Sequence, residues 1–133
     1  MKVLLDTAVL IDILKGEQKA IAIIEQLKKE NAFYTTTINV YEVLRGIYLL
    51  PHNREKHFSA LEAIVSNLYV LDIDFEVSKR AAELYANLRK KGILIDEPDY
   101  LIAAACLSNG ISKIITRNKK HFDQIEKLEV IIY

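Results

Sequence analysis

The alternation of hydrophobic and polar positions along the chain predicts strands and helices in turn. Short runs rich in branched and aromatic residues predict strands at 2–5, 33–37, 68–73, 111–116 and 130–132. Apolar side chains that recur every three or four positions predict helices at 9–14, 17–29, 39–50, 55–67, 75–91, 96–109 and 118–125. This order is typical of an α/β fold with a largely parallel sheet and right-handed crossovers. The helix at 96–109 is apolar nearly all round, so we expect it to lie against the centre of the sheet.

Polar residues at the ends of these segments predict where several helices begin and stop. Asn39, Asp74 and Asn118 precede helical patterns and are expected to act as N-caps. Gly92 is expected to end the helix that Asp74 starts. Pro98 suits the first turn of the helix at 96–109.

Three acidic residues stand where strands end or helices begin, although they are far apart in sequence. Asp6 closes the first apolar run, Glu42 lies early in the helix after the second strand, and Asp99 lies in the first turn of a later helix. In an open parallel sheet, strand ends and the following helix starts share one edge, and ligands bind there. We therefore expect the three carboxylates to converge and to form an oxygen-ligand site for a hard divalent cation.

Each of the three acids also has a structural alternative, and the residues alone leave it open. Asp6 can be the N-cap of the helix that follows it, although Thr7 can take that role. Asn39 and Glu42 have the spacing of a capping box. Asp99 can favour a helix dipole, with Asp96 as the natural cap. Separate caps have no reason to share one edge, however, so the joint pattern favours a functional site.

Composition and charge exclude several classes of protein. The 133 residues, with 51% apolar and 27% charged, fit one folded domain at 1–133. The formal net charge is zero, so any contact with nucleic acid must come from local basic patches.

No apolar run approaches the roughly 20 residues that span a bilayer, and the N-terminus lacks a signal-peptide pattern, so we expect a cytoplasmic protein. Cys106 is alone in an apolar segment, which predicts a buried, inert thiol.

Four short motifs, in order, carry a resemblance to a known family. They are Leu4-Leu5-Asp6-Thr7 with Leu10-Ile11-Asp12, Thr37-x4-Glu42, Asp99-Tyr100-Leu101-Ile102-Ala103-Ala104, and Thr116-Arg117-Asn118. Together they span nearly the whole chain and resemble the PIN-domain nucleases, specifically the VapC toxins of prokaryotic toxin–antitoxin pairs. The resemblance implies a three-layer α/β/α domain around a mainly parallel sheet of four to five strands. It also implies a ribonuclease that depends on Mg²⁺ or Mn²⁺, is held inactive by a VapB-like antitoxin, and forms a homodimer.

The resemblance assigns roles to individual residues of this chain. It implies that Asp6, Glu42 and Asp99 are the catalytic and metal-binding acids. The family often has a fourth acid near its Thr-Arg-Asn segment, but Asn118 and His121 stand there in this chain, which puts a second tightly held metal in doubt. Three residues are supporting candidates, each with a simpler structural alternative: Asn118 to orient a water, Thr116 to hydrogen-bond within the site, and Asp96 as an additional carboxylate.

Other residues are candidates for contacts with RNA or a partner. Arg45 and Arg117 could take RNA phosphates, although they could equally be solvated charges. The three histidines, His52, His57 and His121, lack metal-type spacing, which favours surface or capping roles. A further set of apolar residues exceeds the needs of one helical stripe and could serve a dimer, an antitoxin groove or the core: Tyr41, Tyr48, Leu49 and Leu50.

Two rival functions remain at the level of sequence. A phosphoacceptor signalling domain would need an acidic pair after the first strand, and Asp6-Thr7-Ala8 lacks it. A catalytically weak PIN-fold module that only binds RNA or a partner is disfavoured by the three intact acids. The missing fourth acid keeps that second rival open.

Overall fold

Five parallel strands form one sheet in the computed structural model, which describes residues 1–133. The strands are β1 (Lys2–Leu5), β2 (Ala32–Thr36), β3 (Tyr69–Leu71), β4 (Lys113–Ile115) and β5 (Glu129–Ile131). The helices are α1 (Thr7–Leu14), α2 (Gln18–Leu27), α3 (Thr37–Tyr48), α4 (Arg54–Val65), α5 (Phe75–Lys90), α6 (Glu97–Ser108) and α7 (Lys119–Phe122). The strand order is β3-β2-β1-β4-β5, and every pairing is parallel.

The central strand β1 fixes the register of its two neighbours. Val3 is paired with Phe33 of β2 on one side and with Lys113 of β4 on the other. Strand β1 is buried on both faces, which is why its sequence is continuously apolar rather than alternating. The carboxyl ends of β1, β2 and β4 therefore lie side by side at one edge of the sheet.

Helices cover both faces of the sheet and create two hydrophobic cores. Leu4 and Ile114 point to the face covered by α5, α6 and α7. Val3, Leu5 and Ile115 point to the opposite face, which α1 to α4 cover. The predicted three-layer α/β/α arrangement with a parallel sheet is thus confirmed, and all five strands belong to it.

Helix α6 has the position that its sequence predicts. Its residues from Ile102 to Cys106 are all completely buried, in the same core as Leu4 of the central strand. Burial raises the pKa of the Cys106 thiol above its usual range, so the side chain is neutral and behaves as a small hydrophobic group. No helix of the chain combines the length and the apolar character needed to cross a membrane.

The predicted start of α3 is wrong, and the correction matters for the site. The helix begins at Thr37 with Thr36 as its N-cap, and the capping box joins Thr36 to Asn39. Asn39 is therefore the third helical residue rather than the cap, and the capping box predicted between Asn39 and Glu42 does not exist. Glu42 lies one turn further on and is left without a capping role.

Several other predicted elements were too long, β3 and α7 among them, whereas the predicted cap of α5 is confirmed. Strand β3 is confined to Tyr69–Leu71 because only these residues pair with β2 at the edge of the sheet. Helix α7 stops at Phe122, short of the predicted 125. Asp74 does cap α5, since its side chain accepts a hydrogen bond from the Val77 amide, and Gly92 follows that helix with a positive φ of 74°.

Candidate active site

The strand ends and the first turn of α6 enclose a cleft with a volume of about 510 Å³. The cleft is lined mainly by polar residues: Asp6, Thr7, Ala8, Ile11, Glu42, Asp96, Glu97, Pro98, Asp99 and Asn118. All three predicted acids, Asp6, Glu42 and Asp99, are among them. The structure therefore brings together carboxylates from the β1–α1 junction, from α3 and from α6.

Asp6 is held rigidly by neutral hydrogen-bond donors. It is only 4% exposed, and its two carboxylate oxygens accept bonds from Asn39 Nδ2 at 2.9 Å and from Thr116 Oγ1 at 2.6 Å. Burial raises the pKa of Asp6 above its ordinary value and the Glu42 charge adds to this, while these hydrogen bonds lower it in part. The ionised form is thus oriented but not neutralised.

Asn39 links the start of α3 to the acidic cleft. Its Oδ1 accepts from the Thr36 amide and hydroxyl at 3.2 and 2.7 Å, which completes the helix cap. Its Nδ2 is then free to donate to Asp6 and, at 3.0 Å, to Thr7 Oγ1. The sequence predicted Asn39 only as a cap and missed this second contact, since full burial of an asparagine cannot be read from local pattern.

Glu42 is fixed on the opposite side of the cleft. The Thr7 hydroxyl donates to Glu42 Oε1 at 2.7 Å. The Arg45 guanidinium lies 3.9 Å from Glu42 Oε2, one turn further along α3, and is packed over the Tyr41 ring. Thr7 therefore holds Glu42 Oε1, and Arg45 approaches only Oε2.

Asp99 is a buried carboxylate of the cleft, and its pKa is raised. Its pKa is raised to about 6, chiefly by burial and also by the charge of Asp6, while the hydrogen bond with His121 opposes the rise. The Asp99 carboxylate lies 2.6 Å from His121 Nδ1. Asp96 lies on the same side, with its carboxylate 4.0 Å from the same ring nitrogen.

His121 corrects the prediction of a surface or capping role. Its side chain is only 25% exposed, and its ring lies between the α7 backbone and the first turn of α6. Asp96, Asp99 and His121 each offer one ligand atom, and these atoms lie within 4.8 Å of one another. The two elements meet only in the fold, so sequence spacing gave no sign of this cluster.

The β4–α7 connection closes the cleft. The Thr116 hydroxyl donates to Asp6 and accepts from the backbone N–H of Asn118 at 2.9 Å. Thr116 therefore makes the hydrogen bond within the site for which the sequence made it a candidate. Asn118 lines the cleft at the N-cap position of α7. Its side chain makes no bond to that helix, so the predicted side-chain cap is absent.

Cap positions around this edge of the sheet divide into two kinds. Asp74 caps α5 in the ordinary way. Asp6, Asp96 and Asn118 also occupy N-cap positions, yet none of their side chains caps its helix. A side-chain cap stabilises a helix by about 1 kcal/mol. The side chains of Asp6, Asp96 and Asn118 do not contribute this stabilisation, and all three line the same cleft.

Arg117, a candidate for RNA contact, has a partner inside the protein. Its guanidinium lies 2.5 Å from Asp12, a carboxylate that is only 4% exposed, while the arginine side chain itself is 60% exposed. The Tyr133 hydroxyl also donates to Asp12, and the Arg117 guanidinium lies over the Tyr133 ring. In contrast, no lysine or arginine nitrogen lies within 4.0 Å of Asp6 or Asp99.

The donor set of the cleft fits a divalent cation. Carboxylate oxygens from Asp6, Glu42, Asp96 and Asp99 face one open space, and hard cations such as Mg²⁺ and Mn²⁺ prefer oxygen ligands. The nearest side chains that could offset this negative charge are Arg45, 3.9 Å from Glu42, and His121 beside Asp99.

Comparisons with known proteins agree with this geometry. The PIN domain family model matches residues 3–128. Ribonuclease VapC1 of Methanocaldococcus jannaschii is 31% identical over 132 residues, which cover 99% of this chain and 87% of that protein. The structure of VapBC2 from Rickettsia felis bound to a promoter DNA fragment includes a chain that is 25% identical, with a TM-score of 0.88 and coverage of 100% of this chain and 99% of that one. VapBC-1 from nontypeable Haemophilus influenzae gives 26% identity, a TM-score of 0.83, and coverage of 99% and 98%. The chain therefore belongs to the PIN-domain family.

Proposed function

We propose that this protein is a VapC-type ribonuclease that hydrolyses RNA phosphodiester bonds with a divalent cation, Mg²⁺ or Mn²⁺. The observation that carries the proposal is the convergence of Asp6, Glu42 and Asp99 on one cleft, with Asp6 and Asp99 buried and unpaired with lysine or arginine. Buried carboxylates normally have a cationic partner. The similarity to Ribonuclease VapC1 supports RNA as the substrate.

The three acids of the cleft have different proposed roles. Asp6 and Asp99 are the proposed direct ligands, since both are buried and oriented. Glu42, fixed by Thr7, binds the cation directly or through water and helps to position the attacking water. Once bound, the cation supplies an activated water, neutralises phosphate charge and stabilises the leaving oxygen.

Residues around these acids would orient them and the substrate. Asn39 and Thr116 hold the two oxygens of Asp6 in place, so the ligand needs no reorganisation when the cation arrives. Asn118 and Asp96 line the cleft and are proposed to hold water near the acids. Arg45, beside Glu42, is the proposed phosphate contact. Arg117 keeps enough exposed surface to contact RNA in addition to Asp12, although that pairing is its first role.

An apolar groove beside the cleft supports control by an antitoxin. The groove has a volume of about 410 Å³ and lies between α1, α3 and α4, lined by Ile11, Leu14, Lys15, Val43, Gly46, Ile47, Leu50 and His57. Ile11 lines both the groove and the acidic cleft, so one bound segment could fill the groove and reach the acids. Tyr48 and Leu49 are exposed at the end of α3. Together with the VapBC neighbours, this supports a VapB-like antitoxin as partner; a homodimer is a further proposal.

The direct test is cleavage-site mapping on total RNA with purified protein. We expect discrete cuts with Mg²⁺ or Mn²⁺ and none with a chelator or with Asp6→Asn. Asp72→Asn, which changes an exposed acid outside the cleft, is the matched control and should cut like the wild type. Equal cutting by Asp6→Asn, or cutting in chelator, would reject the proposal. RNA binding without any cutting would favour the alternative of a PIN-fold binding module.

A further inference from the structure

His121 adds a nitrogen donor to one side of the acidic cleft. Its Nδ1 lies 2.6 Å from the Asp99 carboxylate and 4.0 Å from that of Asp96, and one ligand atom from each residue falls within a 4.8 Å span. Metal–nitrogen and metal–oxygen bonds of about 2.0–2.2 Å separate the ligands of one ion by about 3 to 4.4 Å. The three groups are thus within a small movement of sharing an ion.

The fold controls which of these groups can move. Phe122, next to His121, is completely buried in the core beneath α6, so the short helix that carries the imidazole is anchored. Asp99 is also buried. The Asp96 side chain is 75% exposed and does not cap its helix, so it can turn toward the imidazole at little cost.

An imidazole changes which cation a carboxylate site prefers. Mg²⁺ demands oxygen ligands, whereas Zn²⁺, Co²⁺ and Ni²⁺ accept imidazole nitrogen readily and bind mixed sites more tightly. We propose that Asp96, Asp99 and His121 form a mixed carboxylate–imidazole site that binds a borderline transition-metal ion, of the Zn²⁺ or Co²⁺ type, in preference to Mg²⁺. The inference rests on the proposed function because Asp99 is shared with the catalytic cleft.

A different role for His121 must be separated from this one. The imidazole could act only by hydrogen-bonding Asp99 and so positioning a carboxylate that binds any cation. Loss of such an outer partner weakens metal binding by about 10–100-fold. It would weaken Mg²⁺ and Co²⁺ alike, because the bond acts on the shared carboxylate. Loss of a direct nitrogen ligand weakens Co²⁺ selectively. The ratio of the two affinities, rather than either affinity, is therefore diagnostic.

The experiment titrates Co²⁺ and Mg²⁺ into the intact wild-type chain and into His121→Asn, with calorimetry for both ions and visible absorption for Co²⁺. We expect His121→Asn to weaken Co²⁺ binding about 100-fold and Mg²⁺ binding less than about threefold, with a change in the Co²⁺ absorption bands. His121→Asp, which offers oxygen instead of nitrogen, should strengthen Mg²⁺ binding relative to the wild type and abolish the preference for Co²⁺. His52→Gln removes an exposed histidine outside the site and should leave both titrations unchanged.

Equal weakening of the two ions by His121→Asn, or a wild-type protein that binds Co²⁺ no better than Mg²⁺, overturns the inference. RNA cleavage with Mg²⁺ is measured on the same preparations, so that the two proposals can fail separately. If Mg²⁺ supports cleavage while the Co²⁺ preference is absent, only this inference is lost. If neither ion binds and no RNA is cut, the proposed function is lost as well.

Discussion

Two buried aspartates, one just before helix α1 and one within it, differ in whether a cationic side chain neutralises them. Asp6 precedes helix α1 as its N-cap residue, Asp12 lies within that helix, and each is only 4% exposed. Asp12 is neutralised by Arg117 and also accepts a hydrogen bond from Tyr133. Asp6 has only neutral donors, namely the Asn39 and Thr116 side chains and the Thr7 backbone amide. The fold therefore supplies a cationic side chain for Asp12 and none for Asp6, which is what the proposed metal site requires.

The two aspartates are joined through one segment of chain. Thr116 bonds Asp6, and the next residue, Arg117, pairs with Asp12. The ion pair between Arg117 and Asp12 thus holds in place the segment whose Thr116 side chain orients Asp6. Burial and the hydrogen bond to Asp12 also raise the pKa of the Tyr133 phenol to about 12, so this partner stays a neutral donor. We infer that the Asp12 cluster supports the cleft rather than belonging to it.

The largest expected effect is the loss of RNA cleavage when a proposed ligand is neutralised. Asp99→Asn keeps the shape of the side chain but removes the charge that would hold the cation. We expect turnover to fall by about 1,000-fold, or about 4 kcal/mol of activation free energy, at saturating Mn²⁺. Single-turnover cleavage of a mapped RNA site checks this, with Asp72→Asn as control. Turnover within about threefold of the wild type would exclude Asp99 from the site.

The next prediction is that replacing Asp6 and replacing Asp12 by asparagine change the unfolding free energy in opposite directions. Asp12→Asn removes the charge that pairs with Arg117, and because that arginine is largely exposed we expect a loss of about 2 kcal/mol in unfolding free energy. Asp6→Asn removes a buried charge that no lysine or arginine neutralises, so in chelator it should raise the unfolding free energy rather than lower it. Urea denaturation at pH 7.5 measures both. Destabilisation by Asp6→Asn equal to that by Asp12→Asn would break the comparison.

A smaller effect concerns pH. The pKa of Asp99 is about 6 in the folded protein against an ordinary value of 3.8, so its protonated form is favoured by folding. The stability that Asp99 contributes is complete below about pH 4 and is lost as the pH rises through 6. In chelator, Asp99→Asn should therefore match the wild type near pH 4 and exceed it by about 1–2 kcal/mol above pH 7, after allowance for the solvent in the cleft. Denaturation series at several pH values test this. A difference in unfolding free energy between the two proteins that does not change with pH would contradict the raised pKa of Asp99.

The smallest effect comes from the hydroxyl of Tyr133. Tyr133→Phe leaves the ring under Arg117 and deletes only the hydrogen bond to Asp12. We expect a loss of about 1 kcal/mol in unfolding free energy and less than a twofold change in RNA cleavage. Thermal denaturation and the cleavage assay measure the two quantities. A large loss of cleavage without loss of stability would place Tyr133 in the catalytic site instead.

The outline of the fold and the three acids could be predicted because both follow from local pattern. Apolar runs mark the strands, and the geometry of parallel sheets brings Asp6, Glu42 and Asp99 to one edge. Element boundaries were less predictable, because the start of α3 depends on a choice between Thr36 and Asn39 as cap, which side-chain hydrogen bonds decide.

The partners of the acids could not be predicted, because they come from distant parts of the chain. His121 meets Asp99 across 22 residues, and Tyr133 meets Asp12 across 121. Neither pair has a spacing rule, since each depends on how α7 and the end of β5 pack. The same holds for Asn39, whose burial frees one amide group for Asp6 only after α3 has docked.

The central claim is that the cleft leaves a position for a cation beside Asp6 and Asp99. Calorimetric titration of Mn²⁺ into wild-type, Asp6→Asn and Asp12→Asn proteins tests it most directly. The account predicts saturable binding in the wild type, a loss of at least about 30-fold in affinity in Asp6→Asn, and a much smaller change in Asp12→Asn. Equal Mn²⁺ affinity in wild-type and Asp6→Asn proteins would contradict it.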